Sequence, residues 1–161
     1  MHIVLFEPEI PPNTGNVARL CAAMRVELHL IEPLGFSLED RYLKRAGLDY
    51  WPSVRLFVWP DLAAYRNGPG SDKRLVASSS RSGEPVHRFA FTREDALLLG
   101  PETRGLPDHV LADVPLKVRI PVSRTVRSLN LSTAAGILLI QAMAHTGMLD
   151  DAEEFSVCFS G

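Results

Sequence analysis

The stretch Leu131–Met148, LSTAAGILLIQAMAHTGM, constrains this chain more than any other. At helical spacing, Ala134, Ala135, Ile137, Leu138, Leu139, Ile140, Ala142, Met143 and Ala144 leave almost no polar face. A helix that is apolar all round is buried all round. A chain of 161 residues has little material with which to wrap both sides of it, so a second copy is expected to cover the outer side and make a homodimer. Gly136 costs about 1 kcal/mol against alanine inside a helix, and another backbone is expected to pass close to it. At the mouth of this helix stand Ser128, Asn130, Ser132 and Thr133. An unpaired buried hydroxyl or amide costs about 1–3 kcal/mol. Ser128 or Asn130 can cap the helix, but one cap uses one side chain, and a ligand is expected to take up the others.

Upstream, apolar β-branched runs alternate with helical patterns. HIVLFEP, VELHLIEP, VRLFVWP, RLVASSS, ALLLG and KVRIPV read as buried strands. NVARLCAAM reads as a helix that follows the turn signals Asn13, Thr14 and Gly15, SLEDRYLKRAG as one capped by Ser37 and stopped by Gly47, and DLAAYRN as a short one. SGEPVHRFAF has room for a short extra strand. This alternation predicts an α/β fold, a parallel sheet flanked by helices on both faces. It is expected to form a single domain over residues 1–150, followed by an acidic tail at 151–161.

Charge separates that domain from its tail. The formal net charge is −2, but acids at 150, 151, 153 and 154 carry the excess, and residues 1–149 hold 17 basic side chains against 15 acidic ones. Fourteen of the basic residues are arginine, the side chain suited to bidentate phosphate contacts, so RNA is permitted as a partner. The two cysteines, Cys21 and Cys158, form neither a disulfide framework nor a CxxC pair, and a reducing cytoplasm is expected. The apolar run after His2 is too short for a signal peptide or a spanning helix, so no membrane is expected. The five histidines are isolated along the chain, with no HxxxH or HxH, and no metal is expected. There is no Walker A, GxSxG or HExxH motif to support a kinase or hydrolase.

Three polar loops remain, each at the end of a predicted strand, where open α/β sheets bind ligands. EPEIPPNTGNVARL lacks the GxGxxG of a dinucleotide site but places Asn13, Asn16 and Arg19 at a helix start. LLLGPETRGLP sets Glu102 and Arg104 between glycines and prolines, as a Glu–Arg paired turn or as a backbone surface for a ligand edge. Gly100 there is expected to leave room for the ligand itself. RIPVSRTVRSLNLSTAAG repeats the design after Ile120 and Pro121.

Together these three segments, with IEPLGF and KRAGLDYW, closely resemble the motifs of the SPOUT RNA methyltransferases, in matching order over residues 1 to about 148. Within that group they are similar to the bacterial enzymes that methylate the ribose 2′-hydroxyl of the wobble nucleotide, cytidine or modified uridine 34, of leucine tRNAs. The resemblance implies a homodimer with a C-terminal trefoil knot that holds S-adenosylmethionine and acts on the anticodon loop of tRNA. It maps the cofactor onto Ser78, Gly100, Glu102, Ile120, Ser128 and Leu129. It maps the catalytic neighbourhood onto Arg19, Ser128 and Asn130, with Arg19 reaching the knot of the other protomer. A guanidinium keeps its proton in proteins, so Arg19 is expected to orient the ribose and stabilise the alkoxide. Ligand and RNA would then satisfy the hydroxyls and amide at the mouth of the long helix. The family pattern would have a proline and an acid within SRTVRS, where this chain has Ser123, Arg124 and Thr125, and this departure bears on how the RNA is gripped. A SPOUT enzyme for another tRNA or ribosomal RNA site, and a non-catalytic RNA-binding member of the fold, are the alternatives.

Overall fold

The computed structural model describes residues 1–38, 51–123, 125–126 and 128–151. Seven strands, β1 (His2–Phe6), β2 (Glu27–Ile31), β3 (Leu56–Trp59), β4 (Arg74–Ser78), β5 (Glu84–Pro85), β6 (Asp95–Leu99) and β7 (Leu116–Arg119), form one sheet in the order β3-β2-β1-β6-β4-β7-β5. Every pairing is parallel. Among the described residues the α-helices are α1 (Pro11–Ala23), α2 (Leu62–Asn67), α3 (Asp108–Asp113) and α4 (Leu131–His145).

The central strands are apolar because both their faces are covered. Alternate residues Ile3, Leu5, Leu28, Leu30, Leu97 and Leu99 pack with Val17, Cys21, Leu138 and Ala142 of α1 and α4 on one face. Val4, Phe6, Ile31, Ala96 and Leu98 pack with Tyr65 and Val110 of α2 and α3 on the other. The predicted sandwich of helices about a parallel sheet is the observed one. The short strand foreseen in SGEPVHRFAF is Glu84–Pro85, paired with Val118 and Arg119.

Several local expectations are corrected. α1 begins at Pro11, so Asn13, Thr14 and Gly15 lie inside its first turns. Two prolines serve at the first positions, where the missing N–H costs nothing. α3 has six residues, too few for a periodic signal, and was not foreseen. α4 stops at His145, three residues early, where Gly147 takes up a left-handed conformation (φ 68°) and a 3₁₀ turn follows. The helix read over 37–47 lies, from residue 39 onward, outside the described residues, as does the tail beyond Asp151.

The described residues cover the inner side of α4. Ala135, Leu138, Leu139, Ala142 and Met143 are fully buried, while Ile140 is 41% exposed. Among the described residues, nothing outside the neighbouring turns of α4 lies within 4 Å of where a Cβ on Gly136 would stand. The backbone expected beside Gly136 is therefore not supplied by the described residues.

Candidate active site

Connections from β1 run outward through β2 to β3, whereas β6, β4 and β7 lie on its other side. The order reverses at β1, and such a switch opens a crevice at the carboxyl ends of the strands. A cavity of about 770 Å³ occupies this place, and Ser78, Gly100, Glu102, Ile120, Ser128 and Leu129 all line it, with Asn130. The structure thus brings together every cofactor residue read from the sequence. Of the catalytic residues it brings Ser128 and Asn130 but not Arg19, which is exposed on α1 and is not among the lining residues.

The three loops are joined side chain by side chain. Glu102 caps α1 from a distance, since Ile10 at the helix start provides no side-chain cap of its own. Its Oε2 accepts the Glu9 N–H at 2.9 Å, and its Oε1 accepts the Ile10 N–H at 3.3 Å and Asn13 Nδ2 at 3.0 Å. A carboxylate here answers both the orphan donors and the positive end of the helix dipole. In return Glu9 accepts the Thr103 N–H at 3.0 Å and the Thr103 hydroxyl at 2.9 Å. These bonds hold the Glu9 carboxyl below its ordinary pKa. Arg104 pairs with Glu7, so the Glu–Arg turn considered from the sequence is replaced by two separate links to the β1–α1 loop.

The link continues into the third loop. Asn130 Nδ2 donates to Asn13 Oδ1 at 2.8 Å. Asn130 Oδ1 accepts the Ser132 N–H at 2.9 Å, the Ser132 hydroxyl at 2.7 Å and the Thr133 N–H at 3.4 Å. Asn130 is therefore the N-cap of α4. This corrects the expectation that ligand and RNA satisfy its amide and the Ser132 hydroxyl, for the protein satisfies both. Ser128 is exposed and lines the cavity. Ser123 Oγ and Thr125 Oγ1 lie 2.8 Å apart in the departing segment. Arg124 lies outside the described residues.

Gly100, which lines the cavity, also lets its own loop close. A Cβ there would lie 2.3 Å from the Leu106 nitrogen and 2.4 Å from the Gly105 carbonyl carbon, because the loop folds back on itself. Gly105 completes the bend at φ 69°. Beside it, Ser79 Oγ accepts the Arg81 and Ser82 N–H groups, each at 3.2 Å, and shapes the turn after β4. Sequence reading noted Asn13 only as a loop residue, and it missed the Glu9–Thr103 and Glu7–Arg104 links. Their one signal is the facing pair EPE and PETR, which has meaning only once β1 and β6 are neighbours.

At the amino end of the sheet the histidines are not isolated. The β1–β2 register sets His2 opposite Glu27, and His2, Glu27 and His29 place their ligand atoms within 4.8 Å of one another. Indole N–H only donates, so Trp59 Nε1, 3.1 Å from His29 Nδ1, makes that nitrogen an acceptor. The neutral ring then carries its proton on Nε2, which faces Glu27 Oε2 at 3.3 Å. His2 Nε2 lies 3.4 Å from the same oxygen, and its Nδ1 meets the Tyr65 hydroxyl at 3.0 Å. Burial lowers the pKa of both rings, that of His2 to about 4. Among the described residues no helix is long and apolar enough to cross a membrane.

Known proteins are similar to this chain in sequence and fold. The model of the SpoU rRNA Methylase family matches residues 1–140. The tRNA (cytidine(34)-2′-O)-methyltransferase of Photorhabdus asymbiotica is 44% identical over 154 residues, covering 91% of this chain and 94% of the relative. A solved structure bearing on the 2-OH methylation of C/U34 on tRNA aligns with a TM-score of 0.85 and 48% identity over 89% of this chain and 94% of its own. The SpoU methyltransferase AviRb of Streptomyces viridochromogenes, solved in complex with AdoMet, aligns with a TM-score of 0.76 and 25% identity over 89% of this chain and 59% of its own. With its three loops locked about one cavity at the switch of a parallel sheet, and with relatives of this similarity and coverage, the chain belongs to the SpoU methylase family.

Proposed function

We propose that this chain, through one domain over residues 1–150, methylates the ribose 2′-hydroxyl of nucleotide 34, cytidine or modified uridine, in leucine tRNAs in the cytoplasm. The single observation that carries the reading is the bonded series Glu102–Asn13–Asn130, which joins the three loops at the rim of the cavity. The names of the relatives support the substrate.

The cavity fits S-adenosylmethionine. Its volume of about 770 Å³ falls in the ordinary range for small-molecule sites, roughly 300–1,000 Å³. Ile120 and Leu129 offer an apolar wall for a base, and Ser78 and Ser128 offer hydroxyls. Glu102 already receives three donors from the start of α1, so it shapes the wall. When bound, the cofactor supplies a methyl group on a sulfonium. The residues of the chain position the ribose against it, and positioning supplies most of the rate in such reactions. Arg19 keeps its proton and stabilises the developing alkoxide. The ribose proton passes to phosphate or water. Arg19 lies six residues beyond Asn13, about 9 Å along the helix, and serves the cavity of a second protomer. The open outer side of α4, with Ile140 exposed, supports the homodimer.

Mass spectrometry of nucleosides from leucine tRNAs incubated with the protein and S-adenosylmethionine tests the reading. A 2′-O-methylated nucleotide 34 is expected. Methylation confined to ribosomal RNA would overturn it.

A further inference from the structure

A second cavity, of about 520 Å³, shares its wall with the first at Ser78–Arg81 and Arg104–Gly105. Three elements bring N–H donors to it: Arg81 from the turn after β4, Arg104 from the β6–α3 loop and His109 from α3. All three side chains belong to exposed residues. Ser79 Oγ, bonded to the Arg81 N–H, sets the turn that carries Arg81. Arg104 is fixed by Glu7, and Glu7 sits at the end of β1 with a φ of 48°. That left-handed conformation is uncommon for a residue other than glycine. Strain of this kind persists where the surroundings enforce it, and it gathers at functional sites. Here it turns the Glu7 carboxylate onto the guanidinium. The contact engages Nη2 alone, and a guanidinium has five N–H donors in a planar fork.

Such a set of donors fits a phosphate oxygen. Glu7 and Asp108 also line the cavity, and their charges offset part of the attraction for a free anion. A phosphate carried on a molecule already docked next door is favoured instead. Because the two cavities share a wall, a nucleotide whose ribose meets the cofactor at the mouth of the first has its neighbour's backbone at the second.

We propose that this second cavity seats a phosphodiester group of the RNA adjoining the methylated nucleotide, with Arg81, Arg104 and His109 as its donors. The proposal rests on the methyltransferase reading above.

The test compares Arg81→Ala, His109→Ala and the double variant with the wild type. It measures leucine tRNA binding over a range of salt concentrations, S-adenosylmethionine binding by calorimetry, and steady-state kinetics. Each substitution is expected to weaken RNA binding about fivefold, and the loss of the Arg81 cation is expected to make the slope of log K against log salt less negative by about one. The KM for RNA should rise with kcat little changed, and cofactor affinity should stay within about twofold. Arg81→Lys should restore the slope. Arg93→Ala, at the opposite end of the sheet and paired with Asp151 at 3.0 Å, should leave the slope as it is. A double variant with the wild-type slope would overturn the proposal. So would a loss of cofactor affinity with RNA binding intact, since the cavity would then hold the carboxylate of the cofactor. Failure of the wild type to methylate tRNA would count against the methyltransferase reading alone, because the slope comparison needs only RNA binding.

Discussion

Asn13 and Asn130 stand 117 residues apart in sequence and share a hydrogen bond of 2.8 Å. Its direction is fixed from outside the pair. Glu102 can only accept, so Asn13 must turn its Nδ2 toward the carboxylate and its Oδ1 toward Asn130. Asn130 then has its Oδ1 left for the backbone of α4. One carboxylate thereby sets the orientation of two amides and the start of two helices, and the cavity lies between them.

Asn13→Asp tests that relation directly. It places a second carboxylate where Nδ2 now lies 3.0 Å from Glu102 Oε1. Two carboxylates at this distance repel, and the pair takes up a proton at a raised pKa. A loss of about 2 kcal/mol is expected at pH 7, partly recovered near pH 5, when one proton can bridge the two groups. Denaturant unfolding at both pH values measures it. Wild-type stability at pH 7 would mean that Asn13 does not face Glu102.

The two glycines that sequence reading tied to ligand and to neighbouring backbone call for separate tests. Gly100→Ala would drive its Cβ into the backbone of Leu106 and Gly105, so loss of cofactor binding should come with a lower melting temperature. A folded Gly100→Ala protein of unchanged melting temperature would show that the loop can open at no cost.

Among the described residues, Gly136→Ala meets nothing within 4 Å beyond the neighbouring turns of its own helix. In a lone chain it would stabilise the helix by about 1 kcal/mol. With a second protomer packed there, the expected result is a weaker dimer by sedimentation equilibrium. A higher melting temperature with unchanged dimerisation would place the interface elsewhere.

The buried histidines give a dependence on pH. His2 and His29 are neutral in the folded protein, where burial holds their pKa values below the ordinary 6.5, that of His2 at about 4. Below pH 6.5 the unfolded chain therefore binds more protons than the folded one, and stability falls from about pH 6.5 toward pH 4. Above pH 6.5 these rings contribute no slope. His2→Gln should flatten the decline seen in urea unfolding at pH 7, 6 and 5. An unchanged slope would show that His2 titrates normally when folded.

The layers of the fold were legible because β1, β2 and β6 are buried on both faces and carry little but apolar residues after His2 and Glu27. Their order was not. Nothing in DALLL announces that it lies between β1 and β4, and the meeting of Glu102 with Asn13 and of His2 with Glu27 follows from strand order and register alone. The cavity residues Ser78, Gly100, Ile120 and Ser128 were legible through the resemblance of their loops to the family's motifs. Their division of labour was not, because a cap and a ligand contact call for the same amide and hydroxyl side chains. Asn130 is spent on α4, Glu102 on α1, and Gly100 on its own loop.

That division of labour decides how a site shared between protomers is tested. Arg19 does not reach the cavity of its own chain, and α4 leaves its outer side open, so each site is expected to combine Arg19 of one protomer with Ser128 of the other. Asn130→Ala would be a poor partner variant, since losing an N-cap costs about 1 kcal/mol and also breaks the bond to Asn13. Ser128→Ala, at an exposed position on the cavity, removes a hydroxyl without touching the cap. Homodimers of Arg19→Ala and of Ser128→Ala should both be nearly inactive, each lacking one group at both sites. After mixing and re-association, confirmed by native mass spectrometry, about half of the dimers are mixed and carry one intact site and one doubly broken site. Activity should rise toward about a quarter of wild type. Mixed dimers as inactive as their parents would show that Arg19 serves the site of its own chain.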